Sequence, residues 1–198
     1  MIWLHGLGDT GAGWSFLGKA FAAKLPSFSW QFPSAPERAV TLAPGYSMPA
    51  WFDLAALPVT KSTPASVEDF AKSTAFIHAL IDKEVAKGVA PEHIVLGGFS
   101  QGAALSLYAG LSYPVALGGI VCFSGWLPLW PQLSAAPALA ASRVLIVHGR
   151  ADDKVQFGLG EAARDTLGPR VKSVRFESFG GAHEAPPLGW LEEFLRET

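Results

Sequence analysis

From Ile94 to Ser142 the chain runs 49 residues without an aspartate, glutamate, lysine or arginine. So long a gap in charge belongs in a protein core or in lipid, because ionised side chains are almost never fully buried unless paired. A membrane-spanning helix needs about 20 predominantly apolar residues in succession. Here Gly97, Gly98, Gly102, Gly110, Pro114, Gly118, Gly119, Gly125, Pro128, Pro131 and Pro137 cut the segment into pieces of strand or short-helix length. Helix breakers at this density would leave backbone groups unpaired in lipid. The segment therefore reads as the buried middle of a soluble domain, with no stable membrane insertion.

The remaining numbers bound the class. A length of 198 residues suits one domain spanning 1–198, large enough to bury roughly 70 % of its unfolded surface. With 49 % hydrophobic and 16 % charged residues and a net charge of -2, the chain is neither disordered nor basic enough to mark a nucleic-acid or polybasic membrane surface. Cys122 is the only cysteine, which excludes an intramolecular disulfide and a cysteine-based zinc site and fits a reducing, cytoplasmic compartment. The start, Met-Ile-Trp-Leu-His-Gly, shows no basic segment followed by an apolar one, so no secretory signal is visible.

Short apolar runs alternate with helical patterns. Strands are expected at Ile2–Leu4, Phe28–Phe32, His93–Gly97, Gly119–Phe123, Val144–Val147 and Val171–Phe179. Most are continuous apolar runs, as strands covered on both faces tend to be. The clearest helix is Ser66 to Lys87, with Ser66 and Asp69 in a capping-box pattern and Gly88 at the stop. Others are expected at Trp14–Lys24, Gln101–Leu111, Phe157–Leu167 and Leu188–Glu197. This alternation predicts an α/β fold whose mostly parallel central sheet carries helices on both faces, with ligands bound where strands end.

The chemistry lies on the loops that follow strands. Gly98-Phe-Ser-Gln-Gly102 stands between a strand and a helix. A sharp turn there needs glycines on either side and holds Ser100 exposed beside the N–H groups of the helix start. A serine nucleophile needs a base, and the base an orienting acid. Of five histidines, His78 falls within a helix and His93 at the start of a strand, while His5 and His148 end strands before glycine and are expected to act through backbone placement. His183, in Gly180-Gly-Ala-His183 after the last strand, sits where a mobile imidazole reaches a central serine. Asp152 and Asp153 lie in the loop after the penultimate strand, and Ser100, Asp152, His183 is the chain order of α/β-hydrolases. His5-Gly-Leu-Gly-Asp9 supplies an early loop whose Leu7 N–H can join that of Gln101 as an oxyanion donor.

Leu4-His-Gly-Leu-Gly-Asp9, Trp51-Phe-Asp53, Gly97-Gly-Phe-Ser-Gln-Gly102, His148-Gly149 with Asp152, and Gly180 with His183 together resemble the phospholipase/carboxylesterase family, whose best-known members are acyl-protein thioesterases. The resemblance implies an α/β-hydrolase fold with Ser100 as nucleophile, His183 as base, Asp152 as acid, and Leu7 and Gln101 as oxyanion donors. It also implies hydrolysis of carboxylic esters, lysophospholipids or palmitoyl thioesters of proteins, without metal or cofactor. Members usually carry a further strand pair before the Leu-His-Gly-Leu-Gly-Asp stretch. Its shortening or absence here predicts an exposed sheet edge and a monomer or weak homodimer. Trp51, Trp126 and Trp130 are candidate walls of an acyl site. Lys154 stands at a substrate-binding position where thioesterases tend to place an aliphatic residue. Asp53, out of order for a triad, is expected to be a structural hydrogen-bonding residue. The rival readings are a short-chain carboxylesterase or lysophospholipase without a protein substrate, and a non-catalytic receptor on the same scaffold.

Overall fold

The computed structural model describes residues 1–198. In chain order it comprises β1 (Ile2–Leu4), α1 (Gly11–Trp14), α2 (Phe16–Phe21), β2 (Glu37–Ala39), β3 (Ser47–Pro49), α3 (Val67–Ala86), β4 (Val95–Phe99), α4 (Gln101–Ser112), β5 (Gly119–Phe123), α5 (Trp130–Leu133), β6 (Arg143–Gly149), α6 (Phe157–Leu167), β7 (Ser173–Phe179) and α7 (Gly189–Arg196). The main sheet has the order β1-β4-β5-β6-β7, and every pairing is parallel. Successive side chains of a strand point to opposite faces. Ile2, Leu4, Leu96, Ile120, Cys122, Val144 and Ile146 accordingly pack beneath α3, α4 and α6. Their neighbours Trp3, Val95, Val121, Phe123, Leu145 and Val147 pack with α2 and α7.

The uncharged stretch forms β4, α4, β5 and α5 and runs into β6. Helix α4 lies between the sheet and α3, with ten of its residues from Gln101 to Leu111 buried, which explains why it has no polar face to carry charge. No helix is long and apolar enough to cross a membrane.

The expected elements hold apart from the following differences. The strand expected from His93 begins at Val95, with Pro91–His93 in a 3₁₀ turn before it. Phe28–Phe32 is not a strand: only Gln31 pairs with β1, through a bond from the Trp3 N–H to its carbonyl and one from its own N–H to Met1 O, each 2.9 Å. That pairing covers part of the β1 edge. The helix expected at Trp14–Lys24 is confined to α2, Phe16–Phe21, with the short α1, Gly11–Trp14, just ahead of it. The β2–β3 hairpin, too short and polar to show periodicity, was not legible in the sequence. On α3, Ser66 Oγ accepts the Asp69 N–H as expected, but the Asp69 carboxylate does not complete a capping box. It instead accepts from Arg38 at 2.8 Å and from the Asp53 N–H at 2.9 Å.

The β4–α4 turn presses directly on β1. A Cβ on Gly102 would collide with the carbonyl oxygens of Leu4 and His5, and one on Gly98 would stand 2.5 Å from the Gly102 carbonyl carbon. These neighbours are backbone and cannot swing aside. Gly102→Ala is therefore expected to lower stability by about 1–3 kcal/mol or more. Gly158→Ala on α6, with open space around it, should be neutral or stabilising by up to about 1 kcal/mol. Urea denaturation of both variants checks this; equal midpoints would contradict it.

Candidate active site

Ser100 occupies the turn between β4 and α4 with φ 55° and ψ −117°, a conformation that side chains other than glycine rarely adopt. Such a residue stores roughly 1–3 kcal/mol of strain, sustained by the packing of the glycines around it. Its N–H is bonded to the Phe123 carbonyl of β5 at 2.8 Å, which fixes the turn to the sheet. His183 Nε2 lies 2.8 Å from Ser100 Oγ, and His183 Nδ1 lies 2.8 Å from Asp152 Oδ2. A carboxylate only accepts, so Nδ1 carries the proton and Nε2 is left to accept from the serine hydroxyl. The fold thus brings together, within hydrogen-bonding distance, the three residues that the sequence placed on three separate loops.

The His183 loop is anchored by main-chain hydrogen bonds. The Arg150 N–H bonds to Phe179 O at 2.8 Å and the Ala151 N–H to Gly181 O at 3.0 Å, which ties it to the loop that carries Asp152. Gly149 permits this approach, since a Cβ there would stand 2.5 Å from Gly181 O. The imidazole also packs on Phe99, with ring centroids 4.7 Å apart, and Phe99 on Trp14 at 5.1 Å. Trp14 is itself fixed by a bond from its indole N–H to Asp9 at 3.0 Å.

Asp152 is almost wholly buried, and its Oδ1 accepts the N–H groups of Lys154 at 2.9 Å and Val155 at 2.8 Å. Burial alone would push this carboxyl up. Hydrogen bonds from His148, His183 and those two backbone N–H groups outweigh it and hold the group well below the usual carboxylate range. It therefore stays ionised beside the imidazole.

Gly6 brings the early loop against Ser100, leaving a Cβ there 3.4 Å from Ser100 Cβ. Gln101 opens α4, so its N–H is among those that no intrahelical carbonyl can satisfy. The Gln101 side chain is buried and grips the next loop: its Oε1 accepts the Trp51 N–H at 2.9 Å and its Nε2 donates to Phe52 O at 2.7 Å. Beside Ser100 opens a cavity of about 270 Å³, walled by Leu7, Leu54, Leu57, Val59, Trp126 and Lys154. Its wall is stitched to the acid loop, because the Val59 N–H donates to Lys154 O at 2.7 Å.

A sequence profile of the phospholipase/carboxylesterase family matches residues 1–196. The chain belongs to that family. Carboxylesterase SOBER1 of Arabidopsis thaliana is 36 % identical over 202 residues, 99 % of this chain and 89 % of that protein. Its crystal structure matches with a TM-score of 0.91 at 34 % identity, covering 98 % of this chain and 96 % of that one. Acyl-protein thioesterase 1 of Yarrowia lipolytica is 34 % identical over 210 residues, covering 100 % of this chain and 92 % of its own. A probable inactive carboxylesterase of Oryza sativa subsp. japonica is 39 % identical over 209 residues, covering 100 % and 85 %. The α/β-hydrolase fold and the family expected from the motifs both hold.

Three expectations need correction. Trp51 is no wall of the cavity: it is 1 % exposed, and its indole N–H donates to His5 O at 2.9 Å within the core. His5 and His148 contribute more than backbone placement. His5 Nε2 accepts the Ala35 N–H at 2.9 Å, and the His148 side chain reaches the acid loop. Trp126 and Lys154 do line the cavity, with Lys154 Nζ paired to Asp153 at 3.0 Å. Trp130 lies outside it, against α6. Asp53 is structural as expected, accepting from both the N–H and the hydroxyl of Thr41. Trp14, Leu54, Leu57 and Val59 also line the site and were not legible in the sequence. Phe99 was within sight, since it adjoins the nucleophile in the motif itself.

The depressed pKa of Asp152 makes the stability of the fold depend on pH. Its folded-state value is depressed below the unfolded one, about 3.9, so it stabilises the native state above that pH and the stabilisation is lost as pH falls through the folded value. The stability gap between wild type and Asp152→Asn is expected to be widest near pH 7 and to narrow progressively as pH falls below about 4, read by urea denaturation across pH. A gap independent of pH would contradict it.

Proposed function

We propose that the protein is a serine hydrolase that cleaves carboxylic esters or thioesters through a covalent acyl-enzyme on Ser100. The observation that carries this reading is the unbroken pair of 2.8 Å contacts from Ser100 Oγ through His183 to Asp152, at a strained turn beside free backbone N–H groups. His183 Nε2 takes the hydroxyl proton as Oγ attacks the acyl carbonyl. The oxyanion is held by the N–H groups of Leu7 and Gln101, and the imidazolium by ionised Asp152. His183 then passes the proton to the departing alcohol or thiol. Water attacks the acyl-serine in the same way, with His183 again as base, to release the acid.

Relatives named as acyl-protein thioesterases bring S-acylated proteins into the substrate class, and those named as carboxylesterases bring simple esters. The cavity favours short acyl groups. At about 270 Å³ it falls below the roughly 300–1,000 Å³ usual for small-molecule pockets. A palmitoyl chain would leave much of its length outside, forgoing about 0.8 kcal/mol for each methylene not buried.

On p-nitrophenyl esters, Ser100→Ala and His183→Ala are expected to lower turnover by on the order of 10⁶, and Asp152→Asn by roughly 10⁴. A Ser100→Ala protein that kept most of its activity would overturn the reading. A wild-type protein without activity would instead favour the non-catalytic alternative, for which a relative named as a probable inactive carboxylesterase is a precedent. In an acetyl-to-palmitoyl series, kcat/KM should peak at the short end. A maximum at palmitoyl, or on a palmitoylated peptide, would instead support the depalmitoylase reading.

A further inference from the structure

His148 closes β6, and the hydrolysis described above makes no use of it. Its side chain is fully buried. Nε2 lies 2.9 Å from the Val155 carbonyl oxygen and 3.3 Å from Asp152 Oδ2. Both oxygens can only accept, so Nε2 carries the proton and is shared between them. Nδ1 is then an unprotonated nitrogen with no hydrogen-bond partner. Space for it exists because residue 160 is glycine: a Cβ there would stand 2.6 Å from Nδ1.

That arrangement is a poor one for stability alone. A buried polar atom left unpaired costs about 1–3 kcal/mol, and an aliphatic side chain would fill the space without that loss. What the imidazole supplies is a donor aimed at the acid. Asp152 Oδ1 is held by two backbone N–H groups, whereas Oδ2, the oxygen that binds His183, meets only the two imidazoles.

We propose that His148 is a positioning residue for Asp152. Its shared Nε2–H fixes the 152–155 turn and the plane of the carboxylate, so that Oδ2 stays directed at His183 Nδ1. The Val155 contact is the shorter and holds the turn. The longer contact to Oδ2 limits rotation of the carboxylate. His148 is not among the residues that wall the acyl cavity, so its loss should act on the chemical step and not on substrate binding. The inference rests on the reading of Ser100, His183 and Asp152 as a triad.

The test contrasts two amides. Glutamine carries its amide nitrogen near the place of imidazole Nε2, and asparagine near that of Nδ1. His148→Gln is expected to keep kcat within about fivefold of wild type, whereas His148→Asn and His148→Leu should lose about 10- to 100-fold, the scale of a small misplacement of a reacting group. KM should stay within about twofold in all three. Equal kcat for the Gln and Asn variants, or wild-type kcat for His148→Leu, would overturn the proposal. So would a loss seen in KM alone. If no variant folds, NMR of the wild-type and Asp152→Asn proteins decides. The His148 Nε2–H resonance should shift when the carboxylate becomes an amide, and an unchanged resonance would refute the contact. Failure of the triad reading itself would appear separately, as retained activity in Ser100→Ala.

Discussion

The close approach of the β4–α4 turn to the end of β1 is the contact on which the rest of the site depends. Gly98 and Gly102 let backbone meet backbone where any Cβ would collide, and this contact holds Ser100 at a positive φ. The same approach brings the His5–Gly6 loop against the serine and sets the first N–H groups of α4 beside it. Ser100, the start of α4 and the early loop are therefore packed as one unit, anchored to β5 through the Ser100 N–H. The strain at Ser100 is tolerable because α4 is buried on nearly every side and cannot relax outward.

Around that unit the fold makes a second one from the ends of β6 and β7. Main-chain bonds join the Asp152 loop to the His183 loop, and the buried carboxylate collects N–H donors until it is held ionised. Val59 joins the cavity wall to the same loop. Asp152, His183 and the cavity wall thus share main-chain connections, while the Gln101 side chain ties the Ser100 turn to the Trp51–Phe52 segment. Such preorganisation is what electrostatic stabilisation of an oxyanion requires, since nothing need reorient as charge develops.

The sequence carried the triad because each member sits next to residues dictated by backbone geometry: glycines on both sides of Ser100, Gly149 before Asp152, and Gly180-Gly181 before His183. The charge-free stretch was equally informative, since burial of α4 on all sides forbids charge whatever the detail of packing. The cavity wall was not legible. Leu54, Leu57 and Val59 follow no period, and they meet Ser100 only through contacts distant in sequence. Trp51 was misplaced for a related reason: an indole wall and an indole that donates to a buried carbonyl look the same in a sequence. The role of His148 was hidden because the helix glycine that makes room for its ring, Gly160, lies on a different element.

The central claim, an activated serine at the β4–α4 turn, is tested most directly by labelling with a fluorophosphonate followed by peptide mapping. The account expects one covalent adduct, on Ser100, formed rapidly by the wild-type protein and not by His183→Ala. An unlabelled wild-type protein, or an adduct on any other residue, would contradict it.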